Sequence, residues 1–234
     1  MRQVNYIFKK EFRGYFVSPI AYIVISIFLL VTGWFFFSTF FLFNQANMRS
    51  FFSLLPIIFS FVIPAITMKL FSEELNVGSY EILLTMPVTF IDVVLGKFFA
   101  GLAFVIAMLI PTLSYPISIS FFGHLDWGPV IGGYVGALLL GAAFSAVGIF
   151  ASSLTRNQIT AFITATAICF SLALVDKMLF FLPQSFLGFF EYLGADYHFR
   201  NIAKGVLDSR DILYFLSVGF AGLYGTYLVM SEKN

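Results

Sequence analysis

Charged residues are absent from six long stretches of this chain, 14–48, 50–68, 98–125, 127–155, 157–175 and 212–231, and gather in the segments between them. A bilayer's hydrocarbon core takes about 20 mostly apolar residues per helical crossing. No water is available there to bond backbone N–H and C=O groups, so each stretch must satisfy itself as a helix. The pattern predicts an all-α integral membrane protein with six transmembrane helices, at 20–43, 51–71, 92–121, 129–153, 158–177 and 212–231.

Ahead of the first span, residues 3–16 (QVNYIFKKEFRGYF) follow a helical period. Val4, Ile7, Phe8, Phe12, Tyr15 and Phe16 fall on one face, and Gln3, Lys9, Lys10 and Arg13 on the other. A helix of this kind lies in the membrane interface with its cations near anionic headgroups. Ser18-Pro19 then breaks it and turns the chain inward. Glu11 departs from the pattern by projecting on the apolar side. Either it tilts to headgroup level, or it pairs with a cation at a span end such as Lys69, Lys97 or Arg156.

Basic residues orient the bundle. With the N-terminus in the cytoplasm, the inside carries Arg2, Lys9, Lys10, Arg13, Lys69, Lys97, Arg156 and Lys233. The outside carries Arg49, Lys177, Arg200, Lys204 and Arg210, and all of these but Arg49 sit in one long connector, where the rule is weakest. Both termini are therefore expected in the cytoplasm. The outward parts are 44–50, 122–128 and 176–211. Within the last, 178–190 (MLFFLPQSFLGFF) is too short to cross and contains Pro183, so an interfacial or partly re-entrant helix is expected. Trp127 suits the outer aromatic belt.

The longest inward connector, 72–92 (SEELNVGSYEILLTMPVTFID), is also the densest in acid, with Glu73, Glu74, Glu81 and Asp92. A plain hairpin needs only a few residues. Gly78 interrupts one helical stretch, Ser79 starts another through Leu84, and Pro87 ends it. Thr89 has the spacing of an N-cap to Asp92, opening the third span. Residues 72–91 thus read as a cytoplasmic knob with apolar residues to bury.

Composition narrows the function. The chain is 60% hydrophobic and only 11% charged, and a net charge of +1 gives no field to attract nucleic acid. Its 234 residues are used up by the spans and connectors as a single domain. The first apolar run is longer than a signal h-region and is expected to be retained. The lone Cys169 supports neither a disulfide nor a thiol metal cluster and reads as a small buried hydrophobe. His124 and His198, in separate outward loops, make a poor metal site, so no metal is expected. No catalytic constellation is evident. Gly96-Lys97 lacks the upstream glycine of a phosphate-cradling loop, and the spans lack the acid or His relays of ion-coupled carriers. An unpowered bundle with a cytoplasmic knob suggests energy supplied by another subunit.

In the fourth span Gly133, Ala137, Gly141 and Ser145 recur every four positions, a spacing that lets helices approach closely, within one subunit or across a dimer seam. Pro56/Pro64 and Pro111/Pro116 should kink spans two and three. Thr160, Thr164, Thr166 and Ser171 either face a pathway or bond to the backbone.

Four stretches resemble the permease subunit of a type 2 ABC (ABC-2) transporter: FKKEFRGYFVSPIAYI, SEELNVGSYEILLTMPVTFIDVVLGK, SSLTRNQ and HFRNIAKGVLDSRD. The similarity is closest to the gliding-motility-associated permease group. It implies that 3–16 is the elbow helix, with Lys9, Lys10, Glu11 and Arg13 at the interface. It further implies that 73–87 includes a coupling helix seated in a cytoplasmic ATPase, through Glu73, Glu74, Gly78, Tyr80, Glu81, Leu84 and Pro87. Arg156 would form a second, smaller contact, and 178–211 would close the outer end of the pathway with short helices. The implied partners are an ABC ATPase, a second permease copy or homologue, the bilayer and an extracytoplasmic accessory protein. ATP and Mg2+ are expected on the ATPase, with no cofactor and no enzymatic step on this chain. The implied location is a bacterial inner membrane, and the implied direction is export. Two rival readings are an ion-coupled secondary carrier and a polytopic membrane enzyme or assembly factor.

Overall fold

The computed structural model describes residues 2–43, 47–78, 88–177 and 191–232. Helix α1 (Arg2–Val17) ends at a bend on Ser18, and α2 (Pro19–Phe43) begins with proline at its first position, where a missing N–H costs nothing. Next come α3 (Arg49–Thr67), α4 (Lys69–Val77) and α5 (Phe90–Leu109). A 3-10 turn at Ile110–Leu113 leads into α6 (Ser114–Ser120). The remainder is α7 (Trp127–Leu154), α8 (Gln158–Leu174), α9 (Ala195–Ala203) and α10 (Ser209–Glu232).

Among the described residues five helical stretches are long and apolar enough to cross a membrane: Pro19–Leu42, Arg49–Val77, Phe90–Ser120, Trp127–Leu154 and Ser209–Glu232. The fifth predicted span corresponds to α8, which is apolar but has 17 residues. At 1.5 Å per residue it reaches about 26 Å, just short of a hydrocarbon core. The predicted helix at 178–190 lies outside the described residues, as do Tyr80, Glu81, Leu84 and Pro87 of the predicted knob.

The helical stretch that ends at Gly78 is continuous with the second span. The second span continues past residue 71 as α4, broken only by a turn at Met68, so Glu73 and Glu74 stand on its extension. The apolar period explains the extension, because Leu70, Phe71 and Leu75 are all buried. The break has its own stopper. Ser152 Oγ accepts from Phe71 N at 3.1 Å and Ser72 N at 3.0 Å, and donates to the Met68 carbonyl at 2.6 Å. One buried hydroxyl thereby satisfies three backbone groups at a helix interruption. Ser152→Ala is expected to cost about 1–3 kcal/mol by removing the acceptor of the Phe71 and Ser72 N–H groups, while the Met68 carbonyl keeps its bond from Ser72 Oγ, and is seen as a lower unfolding temperature of the detergent-solubilised protein.

In the third span Pro111 lacks an N–H and crowds the carbonyl four residues back, and the chain tightens there into its 3-10 turn. Helix α7 is the central post, with α3, α4, α5, α8, α9 and α10 packed on it. Its small residues set the distances. A side chain at Gly133 would meet the Phe52 ring at 2.3 Å, and one at Gly141 would meet Val105 at 2.7 Å. Ala137 and Ser145 are likewise fully buried. Gly133, Gly141 and Ser145 therefore make contacts inside the chain, with α3 and α5. By contrast α2 and α10 expose large apolar side chains such as Leu30, Trp34, Phe41 and Phe220, the surface expected against lipid.

Candidate functional site

At the end of the bundle where α3 passes into α4, three elements meet around one ammonium group. Gly96 on α5 lets α1 approach, since a Cβ there would lie 2.8 Å from Ile7. The neighbouring Lys97 is fully buried, and its Nζ lies 3.2 Å from Glu11 Oε1, 2.9 Å from Glu74 Oε2 and 2.5 Å from the Leu70 carbonyl oxygen. The Glu74 contact is an ion pair rather than an aligned hydrogen bond, because Oε2 meets no hydrogen-bond geometry. The ammonium thus makes two hydrogen bonds, to Glu11 and the Leu70 carbonyl, and an ion pair with Glu74, with the Phe71 ring 5.0 Å away. Lys10 closes the cluster from outside, 3.6 Å from Glu11 and 3.3 Å from Glu74. Burial works to lower the Lys10 pKa, but the two carboxylates outweigh it and hold the group above its ordinary value.

The clamp thus joins α1 through Glu11, α4 through Glu74 and α5 through Lys97. Of the open partners for Glu11, Lys97 is the one found. Lys69 lies instead over the Tyr15 ring at 4.9 Å, and the Tyr15 hydroxyl donates to the Ile66 carbonyl at 3.2 Å. These contacts fasten α1 to the second span a second time.

A cleft of about 470 Å³ opens between α1 and α4, lined by Lys10, Glu11, Gly14, Lys69, Leu70, Glu73, Glu74 and Val77. Glu74 is turned into the clamp, whereas Glu73 and Val77 are exposed. Gly78 ends α4 with φ 74°, the left-handed conformation that glycine takes without strain. On the far side of residues 79–87, Thr89 and Asp92 form a reciprocal capping box that opens α5. Arg156, exposed in the turn between α7 and α8, stands at the same end, four residues beyond the stopper Ser152. Lys9 and Arg13 are exposed on α1.

The sequence reading missed two features. Ser152 is one. The other is a buried pair at the opposite end, where His198 Nδ1 lies 2.6 Å from Asp211 Oδ1 and Nε2 lies 2.9 Å from the Tyr192 carbonyl, under the stacked Tyr214 ring. This His is a packing element joining α9 to α10, and the HFRNIAKGVLDSRD stretch that contains both residues was its only signal in the sequence. Among the described residues no cluster of His, Cys, Asp or Glu could hold a metal ion. Thr164 and Ser171 bond backbone carbonyls of their own helix.

Comparison with known proteins adds one match. The family profile described as ABC-2 family transporter protein covers residues 6–199. No individual curated protein matches the chain. The match takes in the clamp, the cleft and every spanning stretch but the last, and with the apolar helices it makes this a multi-pass membrane protein of the ABC-2 transporter family.

Proposed function

We propose that the chain is the permease half of an ABC exporter and is driven by a separate cytoplasmic ATPase. The observation that supports this best is the clamp, which ties the helix running toward residues 79–87 to both α1 and α5. A push on that segment would reach α1 and the third span together, since a buried ammonium paired with two carboxylates resists being pulled apart. On this reading α1 is the elbow helix and residues 73–87 include the coupling helix. Glu73 and Arg156 point outward for contact with the ATPase, while ATP and Mg2+ belong to that partner. The α8 segment is the fifth of six spans, which puts both termini in the cytoplasm of a bacterial inner membrane. A second copy or a homologous permease completes the pathway, and an extracytoplasmic accessory protein can meet the outer segment 178–211. The resemblance to gliding-motility-associated permeases rests on the loop and pre-span motifs.

Purification of a tagged copy from native membranes in mild detergent, followed by mass spectrometry, tests the proposal. A stoichiometric P-loop ATPase is expected. A lone homo-oligomer, under conditions that preserve known complexes, would favour a carrier or enzyme instead.

A further inference from the structure

At the end of the bundle opposite the clamp, a pocket of about 190 Å³ is lined by Arg49, Phe52 and Ser53 of α3 and by Phe199, Arg200, Ala203 and Lys204 of the α9 region. Three of these side chains are cations, and no acid lines the pocket. Along α3 and α4, Arg49 and Glu74 are separated by roughly 35–40 Å of helix, so this site is remote from the clamp.

Its floor is rigid. Phe52 and Phe199 are buried, and their rings rest on Gly133 and Gly136 of α7, where a Cβ would come within 2.3 and 3.2 Å of them. The rim is charged and accessible, with Arg49, Ser53, Arg200 and Lys204 all exposed. Arg200 is held in place from behind. Its Nη2 pairs with Asp176 and its Nε lies 3.4 Å from Asp196, which also binds Lys177 at 3.2 Å. That uses part of the guanidinium fork and leaves further N–H donors free. Arg49 and Lys204 have no ion pair among the described residues. Converging like charges repel one another, and an anion seated between them relieves the repulsion.

We propose that this pocket binds a phosphate group bearing uncompensated negative charge, with the headgroup of an anionic lipid as its natural source. The volume falls below the roughly 300–1,000 Å³ of drug-sized sites and suits a headgroup. Guanidinium and ammonium groups together recognise phosphate oxygens, and an anionic lipid presents such oxygens at the membrane surface. A choline headgroup is disfavoured, because its fixed cation would meet three others. None of this depends on what powers the protein.

The test is native mass spectrometry of the intact chain in detergent, titrated with dioctanoyl phosphatidylglycerol, dioctanoyl phosphatidylcholine or inorganic phosphate. Phosphatidylglycerol is expected to bind more tightly than phosphatidylcholine. The combined Arg49→Gln and Lys204→Gln variant should weaken it by about tenfold or more, while Arg210→Gln, an exposed cation that does not line the pocket, should not. Competition by inorganic phosphate would show that the phosphate alone is read and that a free anion can occupy the site. Competition by lipid alone would assign the site to a headgroup. Equal binding of the two lipids, or undiminished phosphatidylglycerol binding in the Arg49/Lys204 variant, would overturn the proposal. If that variant does not survive purification, the wild-type preference between the lipids, and its weakening by salt, decides the question.

Discussion

Replacing Lys97 by methionine should destabilise the folded chain by about 3–5 kcal/mol, the usual cost of breaking a buried ion pair from one side. Methionine nearly matches the volume of lysine, so packing around Phe71 is preserved and the loss is electrostatic. Glu11 and Glu74 would then face each other in a mostly buried site with only the exposed Lys10 to balance them. The Leu70 carbonyl would lose its donor as well. In a thermal melt of the detergent-solubilised protein this corresponds to a lowering of Tm by roughly 10 °C. Adding Glu74→Gln to Lys97→Met removes one of the stranded charges and should recover part of the loss, a non-additivity expected of groups in direct contact. Additive losses would mean that the three side chains do not act as one clamp.

The adjacent acids of α4 should behave in opposite ways. Glu73 is exposed and free of ion pairs among the described residues, so Glu73→Lys should leave Tm nearly unchanged. If Glu73 meets the ATPase, reversing its charge should weaken docking by about 2 kcal/mol or more, roughly thirtyfold, and uncouple transport from ATP. Glu74→Lys, in contrast, would put a third cation beside Lys97 and Lys10 and should fail by misfolding. Measuring both Tm and ATPase recovery for each variant separates the two roles. Full ATPase recovery with Glu73→Lys would remove this residue from the coupling surface.

Which parts of this were legible in the sequence follows from what lipid demands. Uncharged stretches must be helical, so five of the predicted spans and the helix α1 could be read directly, along with the Ser18-Pro19 break and the Thr89/Asp92 cap. The helical stretch before Gly78 could be read too, but not its continuity with the second span, because the acids Glu73 and Glu74 mark a span end until Lys97 is known to lie beside Glu74. Glu11 announced itself by standing on the apolar face, yet choosing Lys97 over Lys69 or Arg156 required knowing how α1 crosses α5. Gly96-Lys97 looked like a failed phosphate loop. In the fold, the glycine admits α1 and the lysine locks it. Ser152 and the His198–Asp211 pair act across elements, through contacts with no sequence period to reveal them. The three cations of the opposite pocket were visible only as marks of orientation, because Arg49 and Lys204 converge through the packing of α9 against α3.

The most direct measurement is site-specific cross-linking of a single cysteine to the ATPase. Cys169 is buried in α8 and would be replaced by serine. The new cysteine would go at Val77, which is 74% exposed at the tip of α4, or at Phe121, which is 81% exposed at the opposite end. A short thiol-reactive cross-linker should join Val77→Cys to the ATPase and leave Phe121→Cys unjoined. Capture at Phe121, or none at Val77 while the complex stays intact, would contradict a coupling role for the α4 end of the bundle.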